Sequence, residues 1–150
     1  MTLSAALSVL KTMPLLRVLD ERRLRVIVMT GDLLSIRQGE RLWEKGDDGD
    51  SVIIVLEGQA TVLVPPRDGA AANGAHETAV AVLGPGEIIG EMAVLTGSPR
   101  STAIAAQTDL RVLRLDGGIV LDLLHEFPEL AIEFIRVLAQ RLEATNARVV

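Results

Sequence analysis

The chain has 150 residues, 49% of them hydrophobic, with a mean hydropathy of +0.35, which is enough apolar material for one compact core and too little length for a second. It contains no cysteine, which excludes disulfides, zinc–thiolate sites and cysteine nucleophiles and favours a reducing compartment. A formal net charge of −5, one tryptophan and no tyrosine argue against a basic nucleic-acid surface and against a base-stacking platform.

From the N-terminus, Leu15, Leu16, Leu19, Leu24, Ile27 and Val28 recur at helical spacing behind Pro14, which a first turn tolerates. Residues 1–32 are therefore read as an N-terminal helical part. No apolar run reaches the roughly 18 residues of a membrane span, and Lys11 and Pro14 break a signal-peptide layout. A cytoplasmic protein without membrane contact is expected.

From Leu33 the texture changes to short apolar stretches punctuated by Gly39, the Gly46–Asp50 run, Gly58, Gly84-Pro85-Gly86 and Gly90. Short strands with regular turn signals predict an antiparallel β-roll over residues 33–116. The stretch from Pro65 to Gly74 cannot pair in a central sheet and reads as a mobile hairpin insertion.

The most informative segment runs from Gly90 to Ala103, because it sets a carboxylate, Glu91, and a guanidinium, Arg100, at the two ends of one small loop. An ionised Glu91 accepts from a sugar hydroxyl, while Arg100 offers a planar fork of donors to two phosphate oxygens. One ribose phosphate satisfies both. Gly90 leaves the backbone open to approach, and Met92, Ala93, Val94 and Leu95 read as a short helical turn whose first N–H groups face an anion. Thr96-Gly97-Ser98-Pro99 ends that turn and returns Arg100 toward its start, with Ser101 and Thr102 adding hydroxyls. The competing reading is an exposed Glu91–Arg100 ion pair of little energetic consequence. Either way the loop is expected on the surface.

After Asp116 the helical pattern returns over 117–150. Ile119 to Leu124 form one apolar turn, Phe127-Pro128 mark a break, and a longer helix runs from Glu129 to about Ala147. Leu130, Phe134, Val137, Leu138 and Leu142 share one face, and Ile132, Ile135 and Ala139 widen it beyond what one packing partner needs. Burial on the chain's own roll and sharing with a second subunit both remain open.

The Gly90–Ala103 segment resembles the phosphate-binding cassette (residues 86–103) of cyclic nucleotide-binding domains, a family that includes sensor domains of bacterial catabolite activator proteins, protein kinase A regulatory subunits and cyclic nucleotide-gated channels. The stretches Gly39–Asp47, Ser51–Val62, Leu110–Leu115 and Pro128–Leu142 resemble the flanking strands and helices, so the similarity spans nearly the whole chain as a single domain, 1–150. It implies an α+β fold: an antiparallel β-roll, jelly-roll-like (a double-stranded β-helix), flanked by an N-terminal helix and C-terminal helices. It implies that Gly90, Glu91, Met92, Ala93, Arg100, Ser101 and Thr102 line the ligand, that Arg141 reaches toward Glu91, and that Thr145 and Asn146 touch the base edge. Thr145 and Asn146 can each donate and accept, as adenine requires.

Cyclic AMP is the expected ligand, with cyclic GMP open because a hydroxyl at Ser101 suits both, and no cofactor is implied. Departures from the family pattern are Ile88-Ile89 where aromatics are frequent, Thr102 where alanine is common and Ala103 where a hydroxyl is common. The chain stops at Val150, before the helix-turn-helix of the bacterial activators, so direct DNA binding is not expected and the output passes to an effector protein or fused domain. The family's mode of action implies that Val94 and Leu95 pack on the C-terminal helices, with Gly117-Gly118 and Phe127-Pro128 as hinges. An enzyme is not expected, since His76 and His125 are too far apart to build a metal site. A roll that only oligomerises remains the alternative.

Overall fold

The computed structural model describes residues 2–66 and 76–146, with the side chains of Thr145 and Asn146 excepted. Most of the expected insertion at Pro65–Gly74 therefore lies outside the described residues. The α+β roll forms as anticipated, from two four-stranded antiparallel sheets. One has the order β1 (Asp32–Ile36), β8 (Leu110–Asp116), β3 (Ser51–Glu57) and β6 (Ile88–Ile89). The other runs β2 (Arg41–Trp43), β7 (Ala103–Ala106), β4 (Ala60–Val64) and β5 (Thr78–Leu83).

Strand β3 is apolar almost throughout because both of its faces are covered. Alternation sends Ile53 and Val55, with Leu110 and Val112, into the space between the sheets, where they meet Ala60, Ile89, Ile104 and Ala106. It sends Val52, Ile54 and Leu56, with Leu113 and Leu115, against the helices. One sheet thus serves two cores.

The N-terminal part is not one helix, as the apolar spacing suggested, but three pieces: α1 (Leu3–Lys11), a 3₁₀ turn at Pro14–Leu16, and α2 (Glu21–Thr30). Caps explain the division. Thr2 accepts from the Ala5 N–H and Asp20 from the Arg23 N–H, each opening its own helix. Met13 is extended at the break and Pro14 starts the 3₁₀ turn. Ala6, Leu7 and Leu10 of α1 join Leu24, Ile27 and Val28 of α2 in the helical core.

Helix α3 (Glu91–Thr96) crosses the mouth of the roll, α4 (Gly117–Glu126) follows β8, and α5 (Pro128–Asn146) starts at its proline. Val94 is buried in the core that also holds Val120 and Leu130, with Leu95 packed against it, so the cassette helix and the C-terminal helices share one apolar contact. Leu130 and Phe134 are buried, whereas Ile132, Ile135 and Leu142 are exposed. Of the face from Leu130 to Leu142, only the N-terminal part is buried on the chain's own roll, and Leu142 is exposed because the helix has outrun its packing partners from Ala139 to Ala144. No helix among the described residues is long and apolar enough to cross a membrane.

Helix α5 is tied to the N-terminal part by charge as well as packing. Arg17 donates to Glu133 at 3.0 Å and Arg136 to the same oxygen at 2.7 Å, while the Arg23 guanidinium lies 4.8 Å from the Phe127 ring centroid. The Arg17 hydrogen bond holds the Glu133 carboxyl below the ordinary glutamate range, against the opposing effect of burial. A depressed folded value contributes stability that is complete above the ordinary value of about 4.3 and is lost as pH falls through the folded one. Urea midpoints measured from pH 6 down to pH 3 should therefore fall less steeply for Glu133→Gln than for the wild type. Parallel curves would show that this pair does not set the acid limit.

Candidate functional site

Glycine sets the geometry of the cassette. Gly90 has φ +90°, and a Cβ there would stand 2.5 Å from Arg100 Nη1 and 2.8 Å from the Trp43 ring. Only a glycine combines that conformation with that approach. Gly97, also left-handed, stops α3 by donating to Ala93 O at 2.9 Å. The turn beyond it brings Arg100 back to the start of the helix, as the sequence suggested. There the Arg100 backbone is locked by two bonds: its N–H donates to Asp47 O and its carbonyl accepts from Gly46 N–H, both at 2.8 Å.

The expectation of a surface loop is overturned at its key residue, because Arg100 is only 4% exposed. The Trp43 ring and the backbones of Ser51 and Gly90 enclose it. Its Nη2 donates to Ser51 O at 2.6 Å and to Ser51 Oγ at 3.2 Å, and its Nη1 donates to Gly90 O at 3.1 Å. All three acceptors are neutral. Its Nε is buried with no partner, and among the described residues no carboxylate forms an ion pair with it. Burial pushes the guanidinium below its ordinary value, with Asp50 opposing, yet an arginine so placed stays protonated.

Nor do Glu91 and Arg100 pair with each other. Glu91, the first residue of α3, is 6% exposed, and its Oε1 accepts from Arg141 Nη1 of α5 within the same chain. The two ends of the cassette thus carry different partners, and one cavity of about 130 Å³ lies between them, lined by Trp43, Gly90, Glu91, Met92, Ala93, Arg100, Ser101 and Thr102. Every cassette residue singled out from the sequence lines that space. Trp43, which was not singled out, lines it as well. The volume is below the roughly 300 Å³ at which a pocket encloses a drug-sized ligand.

The side chains of Thr145 and Asn146 lie outside the described residues. A larger hollow of about 500 Å³ behind α3 is lined mainly by small and apolar residues such as Ala93, Val94, Pro99, Gly117 and Leu121, with Asp48 and Asp50 and no cationic side chain to receive an anion. His76 and His125 are exposed, and no metal-holding group of His, Cys, Asp or Glu occurs among the described residues.

The residues fit an anionic sugar by a simple electrostatic test. A buried cation without a counter-ion costs several kcal/mol, roughly, even after relaxation, and a phosphate would supply the missing charge. Similarity to known proteins agrees with that geometry. The chain is 26% identical over 109 residues to a CRP-like cAMP-activated global transcriptional regulator of Mycobacterium tuberculosis, covering 73% of this chain and 46% of the regulator. It therefore spans less than half of that relative. Among solved structures, the N-terminal domain of a transcriptional regulator from Streptomyces coelicolor A3(2) matches at 31% identity and a TM-score of 0.72, over 93% of this chain and 95% of that one. The Thermus thermophilus catabolite activator protein matches at 26% identity and a TM-score of 0.78, over 91% and 61%. The family model described as the cyclic nucleotide-binding domain covers residues 33–127, β1 through the end of α4, and the chain accordingly belongs to the cyclic nucleotide-binding domain family.

Proposed function

We propose that residues 1–150 act as one cyclic nucleotide sensor, with cyclic AMP the preferred ligand, and that occupancy is relayed through α5 to an effector protein or fused domain. The observation that carries this reading is the buried Arg100 guanidinium, unpaired with any carboxylate, facing Glu91 across one cavity. The cyclic phosphate takes the free donors of Arg100, aided by Ser101 and Thr102. The ribose hydroxyl donates to Glu91, and the base is read toward the end of α5, with Arg141, Thr145 and Asn146 as the residues proposed to meet it. Relay follows from the contact of Arg141 with Glu91, since a ligand that competes for Glu91 changes what holds α5. The roles fit a binding module rather than a catalyst, and the name of the Mycobacterium tuberculosis relative supports cyclic AMP.

Calorimetric titration with cyclic AMP and cyclic GMP tests the reading: saturable one-site binding, tighter for cyclic AMP, is expected. No heat and no thermal shift with either nucleotide would leave the oligomerising roll as the better account.

The outer face of α5 favours a homodimer. Ile135 is 64% exposed and lies one turn from Ile132 and Ala139, a stripe that a second copy of the same helix would cover. Mass measurement is expected to give a dimer for the wild type and a monomer of unchanged fold for Ile135→Glu. A wild-type monomer at all concentrations, with and without nucleotide, would remove the dimer from the proposal.

A further inference from the structure

The lone tryptophan of the chain stands on the guanidinium that the proposed function needs. The Arg100 Cζ lies 3.7 Å from the Trp43 ring centroid, inside the distance at which an indole face attracts a cation. Strand β2 shifts register between Arg41 and Trp43 against β7, and such a bulge re-aims the side chain that follows it. Gly90 borders both partners at the edge of this contact, since a Cβ there would lie 2.5 Å from Arg100 Nη1 and 2.8 and 3.2 Å from ring carbons. Trp43, Arg100 and the Gly90 backbone form one packed cluster.

From this arrangement we propose that Trp43 is the positioning residue for the phosphate contact: its indole face stands in for a counter-ion and holds the buried Arg100 guanidinium in place with its remaining donors available. The inference deepens the functional reading above and rests on it. A carboxylate in the place of the indole would also compensate the buried charge, but it would occupy the donors and repel the phosphate. Ser51 and Gly90 accept hydrogen bonds without charge, so they fix the orientation of the fork and leave its positive charge uncancelled. The aromatic face adds attraction that a phosphate does not have to displace.

Trp43→Leu, Trp43→Phe, Arg100→Met and the Trp43→Leu/Arg100→Met double variant test this by two readouts, urea unfolding without ligand and calorimetry with cyclic AMP. In unfolding, Trp43→Leu should lower the folding constant about tenfold more in the wild type than in the Arg100→Met background, because only the former loses a cation–ring contact. In binding, Trp43→Leu should weaken cyclic AMP about tenfold and Trp43→Phe, which keeps a ring face, less than about threefold. Equal losses of stability in the two backgrounds, or unchanged affinity in Trp43→Leu, would reduce Trp43 to an ordinary packing residue and overturn the proposal. If the leucine variant does not fold, Trp43→Phe decides: affinity as low as that of Arg100→Met overturns it. Wild-type protein that binds neither nucleotide overturns the functional reading itself, a result separate from additive losses in a protein that binds.

Discussion

Arg100→Met is expected to weaken cyclic AMP binding by about 100- to 1,000-fold while changing folding stability by less than about 1 kcal/mol, a separation of effects that follows from where the charge sits. Hydrogen bonds to charged groups contribute about 1.5–3 kcal/mol each. Three bonds already engage the fork, leaving Nε and part of Nη1 for a phosphate, so about 3–4 kcal/mol of binding is at stake. Folding balances differently. Methionine keeps an apolar stem against Trp43 and removes a buried cation whose desolvation opposes the folded state. It also strands the Ser51 and Gly90 carbonyls, at about 1–3 kcal/mol for an unsatisfied group. The gain and the loss are of similar size. Calorimetry and urea unfolding on the same preparation measure both. Unaltered affinity would remove Arg100 from the phosphate site, and a collapse of stability would make it a brace between β3 and the cassette instead.

The cassette was legible because local chemistry writes it: Gly90, Gly97 and Pro99 bound a six-residue helix and turn the chain back toward its start, although the bonds that lock the Arg100 backbone there come from Gly46 and Asp47. The two-core arrangement was only half legible. The run from Val52 to Leu56 announces burial, but not that alternate residues serve different cores. Helix α1 falls within the helical part expected at 1–32, but the apolar spacing does not show the break at Pro14 that makes it a separate element with its own Thr2 cap. What no spacing could reveal are contacts between distant residues. Trp43 meets Arg100 from a three-residue strand, Arg17 meets Glu133 116 positions away, and the Ser51 oxygens that fix the guanidinium belong to a strand that reads as pure core. The exposed-loop expectation for Arg100 failed for the same reason: its burial is imposed by residues 43 and 51, not by its neighbours in sequence.

The second large effect concerns the sugar. Glu91 sits at the first position of α3, where the helix N-terminus favours a carboxylate, and its partner Arg141 is about half exposed. Glutamine at 91 keeps the shape of the side chain and loses the charge. The half-exposed Arg141 then loses only a partly screened ion pair, so stability should hold, while a ribose hydroxyl meets a weaker acceptor. Cyclic AMP affinity should fall about 10- to 100-fold in Glu91→Gln, the range of one charge-assisted bond. The sharper readout is a cycle that changes protein and ligand together. For the wild type, deleting the ligand's 2′-hydroxyl should cost about the same factor as deleting the charge. In Glu91→Gln the 2′-deoxy penalty should shrink to less than about threefold, since the two changes remove one interaction. A penalty of undiminished size in the variant would mean that another group reads the ribose. Arg141→Ala completes the argument: if Arg141 competes with the sugar for Glu91, its removal tightens binding, and if it orients the carboxylate for the sugar, its removal weakens it. Relay through α5 requires competition, so tighter binding in Arg141→Ala supports it and weaker binding overturns it.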